Sequence, residues 1–221
     1  DLVDAVRKQS GADGARMQML TVLLRLRQSC CDLRLLDKEL DEKPLADISV
    51  KLARLMELLG EAKRGDHRVL VFSQFTSMLT LIRNELDAEN VSYSYLDGAT
   101  RDRAAVVDAF QKTDGPPVFL ISLKAGGYGL TLTAADTVVL FDPWWNPAVE
   151  AQAADRIHRI GQSRPATIYK LITRGTVEEK ILKLQEKKKS MISAAIGEAE
   201  NEARPLMTGL SESEMRDLLD D

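Results

Sequence analysis

The sequence predicts an α/β fold, a parallel sheet with helices on both faces, flanked by a helical region before it and a long helix after it. Short runs that are apolar throughout, such as Val69 to Phe72 and Val118 to Ile121, alternate with longer amphipathic stretches. Strands that are apolar on both sides belong in a sheet that is covered on both sides. The length of 221 residues at 44% hydrophobic content suits one substantial core and is too short for two full domains with linkers.

The elements follow in order. Residues 1–48 read as a helical region to about Leu40, with the run Met17 to Arg27 apolar enough to be largely buried or to pack on another lobe; Pro44 and Asp47 mark a break. From Ser49, Leu52, Leu55, Met56 and Leu59 lay one stripe along a helix that should stop near Gly65. Val69 to Phe72 is a strand, and Thr76 is placed to cap a helix bearing Leu79, Ile82 and Leu86. Tyr93 to Leu96 is a second strand, after which Asp97-Gly98 turns the chain and Thr100 is placed to cap a helix carrying Val106, Val107 and Phe110. Val118 to Ile121, Thr137 to Phe141 and Thr167 to Ile172 are further strands, and Asn146-Pro147 opens a helix with proline in its first turn. The lobe therefore spans 49–175. A helix follows over 176–197, with Lys187 to Lys189 as a solvated basic run, and 198–221 reads as a mobile acidic tail ending in an amphipathic piece, Met215 to Leu219.

Composition narrows the function classes. No stretch approaches the ~20 apolar residues of a membrane span. The opening, Asp1 to Gln18, is polar and has no apolar core of a signal peptide, so the chain is expected to be an excised, intracellular piece of a longer protein. Cys30 and Cys31 are adjacent and expected to be reduced, and His67 and His158 offer no metal-ligand spacing. A net charge of −4 argues against a nucleic-acid partner only on average: 198–221 holds eight acids and two bases, a local −6, which leaves +2 for the rest.

Three loops follow strands at the edge where open α/β sheets carry their sites. Ser73-Gln74-Phe75 either touches a ligand or caps the next helix. Ser122 to Leu130 carries Gly126, Gly127 and Gly129, which free the backbone for close approach to a phosphate or ribose, with Ser122 and Lys124 able to contact anionic oxygens; a plain tight connection is the competing reading. The phosphate-cradling pattern Gly-x-x-x-x-Gly-Lys-[Ser/Thr] occurs nowhere. Gln152 to Gln162 places Arg156 and Arg159 on one helical face, where two forked guanidiniums suit a phosphate; a surface ion pair of Asp155 with Arg159 is the alternative.

Val69-Leu-Val-Phe-Ser-Gln-Phe75, Tyr95-Leu-Asp-Gly-Ala-Thr100, the Ser122 to Leu130 loop with Thr133-Ala-Ala-Asp136, Phe141-Asp-Pro-Trp-Trp-Asn-Pro147 and Asp155-Arg-Ile-His-Arg-Ile-Gly-Gln162 resemble, in order and spacing, successive motifs of the C-terminal helicase lobe of the SWI2/SNF2 family. The resemblance covers roughly 49–195, and Leu26-Arg27-Gln28 resembles the region that precedes this lobe; Thr131 departs from the Asn more usual there.

The resemblance implies a RecA-like lobe, the second of two, in an ATP-dependent double-stranded-DNA translocase. It implies Arg156 and Arg159 as arginine fingers, Gly127, Gly129, Asp136 and Gln152 on the nucleotide side, and Ser73, Gln74, Thr100, Ser122, Lys124, Trp144 and Trp145 along the DNA-tracking surface, with core packing competing for the tryptophans. The helix at 176–197 would brace the two lobes. ATP and Mg²⁺ would be held mainly by an N-terminal RecA-like lobe of the same protein, so this chain alone is expected to be inactive, in a nucleoid or a nucleus. A strand-separating or RNA-directed helicase lobe, or a catalytically incomplete binding platform, are the alternatives.

Overall fold

The structure, a computed structural model, describes residues 2–123, 125, 132–148, 150, 165–196 and 210–220. Five parallel strands, β1 (Val69–Ser73), β2 (Tyr93–Leu96), β3 (Val118–Ser122), β4 (Thr137–Leu140) and β5 (Thr167–Lys170), lie in the order β2-β3-β1-β4-β5. This is the covered parallel sheet that the alternation of apolar runs and amphipathic stretches predicts, and the RecA-like lobe that the resemblance implies. Its helices are α1 (Leu2–Cys31), α2 (Leu45–Ile48), α3 (Val50–Arg64), α4 (Thr76–Ala88), α5 (Arg103–Gln111), α6 (Val177–Ile196) and α7 (Glu212–Leu219).

Side chains alternate across the pleat, and each face has its own core. Val69, Val71, Val118, Leu120 and Val139 point to one face and pack against Leu52, Leu55 and Leu59 of α3 and Met78, Leu79, Ile82 and Leu86 of α4. Leu70, Phe72, Phe119, Ile121, Val138 and Leu140 point to the other and meet Phe110 of α5, Leu132 and Ala135. The chain steps outward from β1 to β2 and back from β2 to β3, so right-handed crossovers put α4 and α5 on opposite faces. Strand β5 departs from the expected burial: it forms the sheet's edge, and all four of its residues are exposed.

Two predicted caps are corrected. Thr76 is the first residue inside α4, whose N-cap is Phe75, with no side-chain bond; the preceding turn is held instead by Ser73 Oγ, which accepts the Phe75 amide at 3.1 Å. Helix α5 is capped by Asp102, which accepts the Ala105 amide, because Thr100 is engaged one turn earlier with Asp97. The expected stop of α3 holds: Arg64 is its last residue and Gly65 its C-cap.

A third core lies outside the sheet. In α1, Ala15, Met19, Leu23, Arg27 and Cys31 are buried at intervals of four, one stripe of a helix, whereas Met17 (65%) and Leu24 (43%) are exposed. The run is thus amphipathic rather than buried throughout. Its inner stripe packs on Val177 and Ile181 of α6 and on Leu210, Met215 and Leu218. The end of the acidic segment is therefore a docked element and no free tail, as Ser211 and Glu214 cap α7 reciprocally and Glu214 pairs with Lys188 at 3.1 Å. Lys188 is correspondingly buried, while Lys187 and Lys189 on either side are exposed, so the basic run is only partly the solvated face expected.

Candidate functional site at the carboxyl edge of the sheet

Strands β1, β3 and β4 end side by side, with Ser73 level with Ser122; of the three loops singled out above, the structure describes Ser73-Gln74-Phe75 and the start of the second at Ser122, Leu123 and Ala125. Both serines are interior. Ser73 is fully buried and Ser122 is 3% exposed. The Ser73 hydroxyl donates to Asp142, while Ser122 Oγ accepts the Ala125 amide at 3.2 Å. These two hydroxyls shape the loops, which corrects the expectation that they touch DNA: neither side chain reaches the surface.

The organising group is Asp142, just beyond β4. Besides the Ser73 hydroxyl, its Oδ2 accepts the Gln74 amide at 3.2 Å and lies 3.8 Å from Arg27 Nη2. Burial pushes the Asp142 carboxyl above its ordinary value, and Arg27, Ser73, Lys51 and the Gln74 amide oppose that rise. One carboxylate thus ties the loop after β1 to the loop after β4. Gln74 is half-buried, and its Nε2 is a buried donor without a hydrogen-bond partner among the described residues. Such a donor is costly unless something accepts from it.

Beside Asp142 the two tryptophans stack, ring centroids 4.2 Å apart at 29°. Both are half-buried, with Trp145 against the third core, so the competing core role is met in part. The Arg27 guanidinium lies over Trp144 at 5.0 Å, Trp145 at 4.6 Å and Phe75 at 5.6 Å, and donates to the Pro143 carbonyl at 2.8 Å. From the other side, Glu150 accepts the Trp144 amide at 2.9 Å, and Gln185 of α6 donates to Glu150 and to the Trp144 carbonyl. A second buried pair, Lys51 of α3 with Glu178 of α6 at 2.5 Å, braces the same loop, Lys51 also donating to the Phe141 carbonyl at 2.9 Å.

The remaining predicted residues divide. Thr100 sits in a turn where its hydroxyl and the Asp97 carboxylate hold each other at 3.1 Å. Burial raises the Asp97 carboxyl, yet donors from Ala99, Tyr95 and Thr100 outweigh it and hold the group below its ordinary value. Asp136 is not at the carboxyl edge. It precedes β4, accepts from Thr137 Oγ1 and lies 2.8 Å from His67 Nδ1. Four residues of strand at about 3.3 Å each separate it from the Asp142 end, which corrects its expected place on the nucleotide side. Gly127, Gly129, Lys124, Gln152, Arg156 and Arg159 lie outside the described residues.

No His, Cys, Asp or Glu group able to hold a metal occurs among the described residues, and no helix among them is long and apolar enough to cross a membrane. Burial raises both thiols, Cys31 well above its ordinary value, which disfavours the thiolate form at either.

Residues 50–161, just over half of the chain, match the helicase conserved C-terminal domain. The chain belongs to the SWI2/SNF2 family of helicase C-terminal lobes. Among curated relatives, the chromatin-remodeling ATPase INO80 of Aspergillus clavatus is 52% identical over 137 residues, and that of Pyricularia oryzae 50% over 137 residues. Both alignments cover 61% of this chain, but only 8% and 7% of those proteins. Among solved structures, the SWI2/SNF2 ATPase core of Sulfolobus solfataricus in complex with double-stranded DNA aligns at TM-score 0.68 and 33% identity, over 90% of this chain and 41% of that chain. The C-terminal part of the Fun30 ATPase domain aligns at TM-score 0.62 and 32% identity, over 83% and 63%.

The motifs of this SWI2/SNF2 lobe were legible as sequence; the groups that hold them together were not. Arg27, Lys51, Asp142, Glu150, Glu178 and Gln185 escaped notice as site residues. A signal existed for several of them. Arg27 and Lys51 stand four residues from buried apolar neighbours on their own helices, and Gln185 four from Ile181 on a face that also buries Glu178 and Lys188.

Proposed function

We propose that this SWI2/SNF2 chain is the second motor lobe of an ATP-dependent double-stranded-DNA translocase. It would supply arginine fingers to a nucleotide held by another lobe, and part of the surface that tracks DNA. The observation that carries the reading is the carboxyl edge itself. Two loops tied together by Asp142 present a stacked, half-exposed indole pair and a half-exposed Gln74, flat and polar groups suited to the backbone of a nucleic acid. The likeness to an ATPase core in complex with double-stranded DNA supports the duplex as the polymer tracked.

ATP with Mg²⁺ would be gripped mainly by an N-terminal RecA-like lobe. Gly127, Gly129 and Gln152 would face the nucleotide from this side, and Arg156 and Arg159 would stabilise charge developing on the transferred phosphoryl group. Closure of two lobes around ATP and reopening after hydrolysis would let them grip the duplex alternately, moving along one strand without having to separate the two. Gln74, Thr100, Lys124, Trp144 and Trp145 are the proposed tracking residues. Ser73 and Ser122 act behind them by setting loop shape. The likeness to chromatin-remodeling ATPases favours a nucleus, or a nucleoid, as the place of action.

The test is Arg159→Ala in the full-length protein. DNA-stimulated ATP turnover should fall by a factor on the order of 10³ while duplex binding persists. Near-normal turnover would overturn the assignment, and stimulation by RNA or single strands in place of duplex would overturn the choice of polymer.

A further inference from the structure

Resting on that DNA-facing reading, we infer that Arg27, on a helix outside the sheet, is the positioning residue of the tracking surface, setting the tryptophan pair and the Gln74 loop in place together. Trp144 and Trp145 are consecutive and only half-buried, so nothing in their own backbone obliges two indoles to stack. The Arg27 guanidinium, 1% exposed, lies over both rings and over Phe75, with one nitrogen on the Pro143 carbonyl and 3.8 Å from Asp142.

A planar, weakly hydrated guanidinium suits this task, since it stacks on ring faces while its edge donates hydrogen bonds; a lysine ammonium offers neither the plane nor the fork. The same ion faces Asp142, which receives the Ser73 hydroxyl and the Gln74 amide. Loss of the guanidinium would therefore release both loops at once. It would free the indoles to change rotamer, and it would leave a buried carboxylate without its counter-ion and ready to let go of the Gln74 backbone.

Helix α6 completes the clamp through Gln185 and Glu150, which engage the carbonyl and the amide of Trp144. The peptide is held by α6 and the ring by α1. Duplex affinity at this edge thus depends on the seating of α1 against the lobe, by way of one side chain.

The experiment compares full-length protein with Arg27→Lys, measuring DNA-stimulated ATP turnover against duplex concentration. The duplex concentration for half-maximal turnover should rise about tenfold, the size of a lost desolvated stack, with maximal turnover changed less than about twofold. In a Trp144→Leu/Trp145→Leu background the same substitution should add less than about a twofold change, because lysine keeps a positive charge facing Asp142 and loses only the stack on those rings. Should Arg27→Lys fail to fold, Arg27→Met with Asp142→Asn removes both buried charges and carries the same comparison. A lowered melting temperature with unchanged half-saturation would make Arg27 merely structural and overturn the inference alone; equal effects in both backgrounds would do likewise. A parent protein that duplex DNA does not stimulate at all would overturn the motor reading, and the inference with it.

Discussion

Lys51 brings an ammonium into the interior, 5% exposed, where the fully buried Glu178 and the Phe141 carbonyl are its partners. An ion removed from water so completely is tolerable only when paired and hydrogen-bonded, and removal of one partner strands the other. Lys51→Met should therefore cost about 3–5 kcal/mol of lobe stability, and Lys51→Met with Glu178→Gln should cost distinctly less. Denaturant unfolding of Lys51→Met, Glu178→Gln and the double variant measures the difference; a double loss equal to the sum of the two single losses would show that the pair is not coupled. At Asp142 the neutral isostere is instructive. Its carboxyl is already raised by burial, so folding favours the protonated form, and stability contributed by this group increases as pH falls through its folded value toward its unfolded one. Such residues were hard to find in the sequence because the cost and the compensation are far apart: Arg27 and Asp142, or Lys51 and Glu178, are partners only in the folded chain.

Helix α7 is an element whose composition misled. Eight acids among the last residues suggested a free tail, since local charge repulsion favours solvent. What docks α7 is its other face, where Met215 is fully buried and Leu218 is 3% exposed against α1 and α6. Each such side chain contributes about 1.5–3 kcal/mol on burial, enough to hold a short helix whose ends are also capped. Ser211→Ala should weaken this docking by about 1 kcal/mol, seen as faster amide exchange over 210–220. Acid should loosen it too. Burial raises the Glu214 carboxyl, but the Ser211 amide and Lys188 outweigh that and hold it below its ordinary value. Its contribution is present above the unfolded value near 4.5 and is lost as pH falls through the lower folded one. Exchange over 210–220 that stays constant down through that range would contradict the linkage. The amphipathic piece Met215 to Leu219 was visible in the sequence; its partner, a stripe on α1 nearly two hundred residues earlier, was not.

As a whole, the molecule is a sheet with its candidate site at one edge and three helices, α1, α6 and α7, gathered beside that edge. None of the motifs in this chain provides the phosphate-cradling loop of a complete motor. The 221-residue chain by itself should release no phosphate from ATP, with or without duplex DNA, while the longer protein should do so; turnover by the isolated chain would refute the two-lobe scheme. Periodicity and turn chemistry alone determined the parallel sheet, the order of its elements along the chain and the amphipathic faces of α3 and α4, and resemblance supplied the family motifs, because each is written in residues close together along the chain. Tertiary structure alone decided that Ser73 and Ser122 face inward, that Asp136 lies at the opposite edge from Asp142, and that α7 docks. It also decided that Arg27 reaches across to the tryptophans, since whether a polar group meets solvent, a ligand or a buried partner depends on what the fold brings next to it.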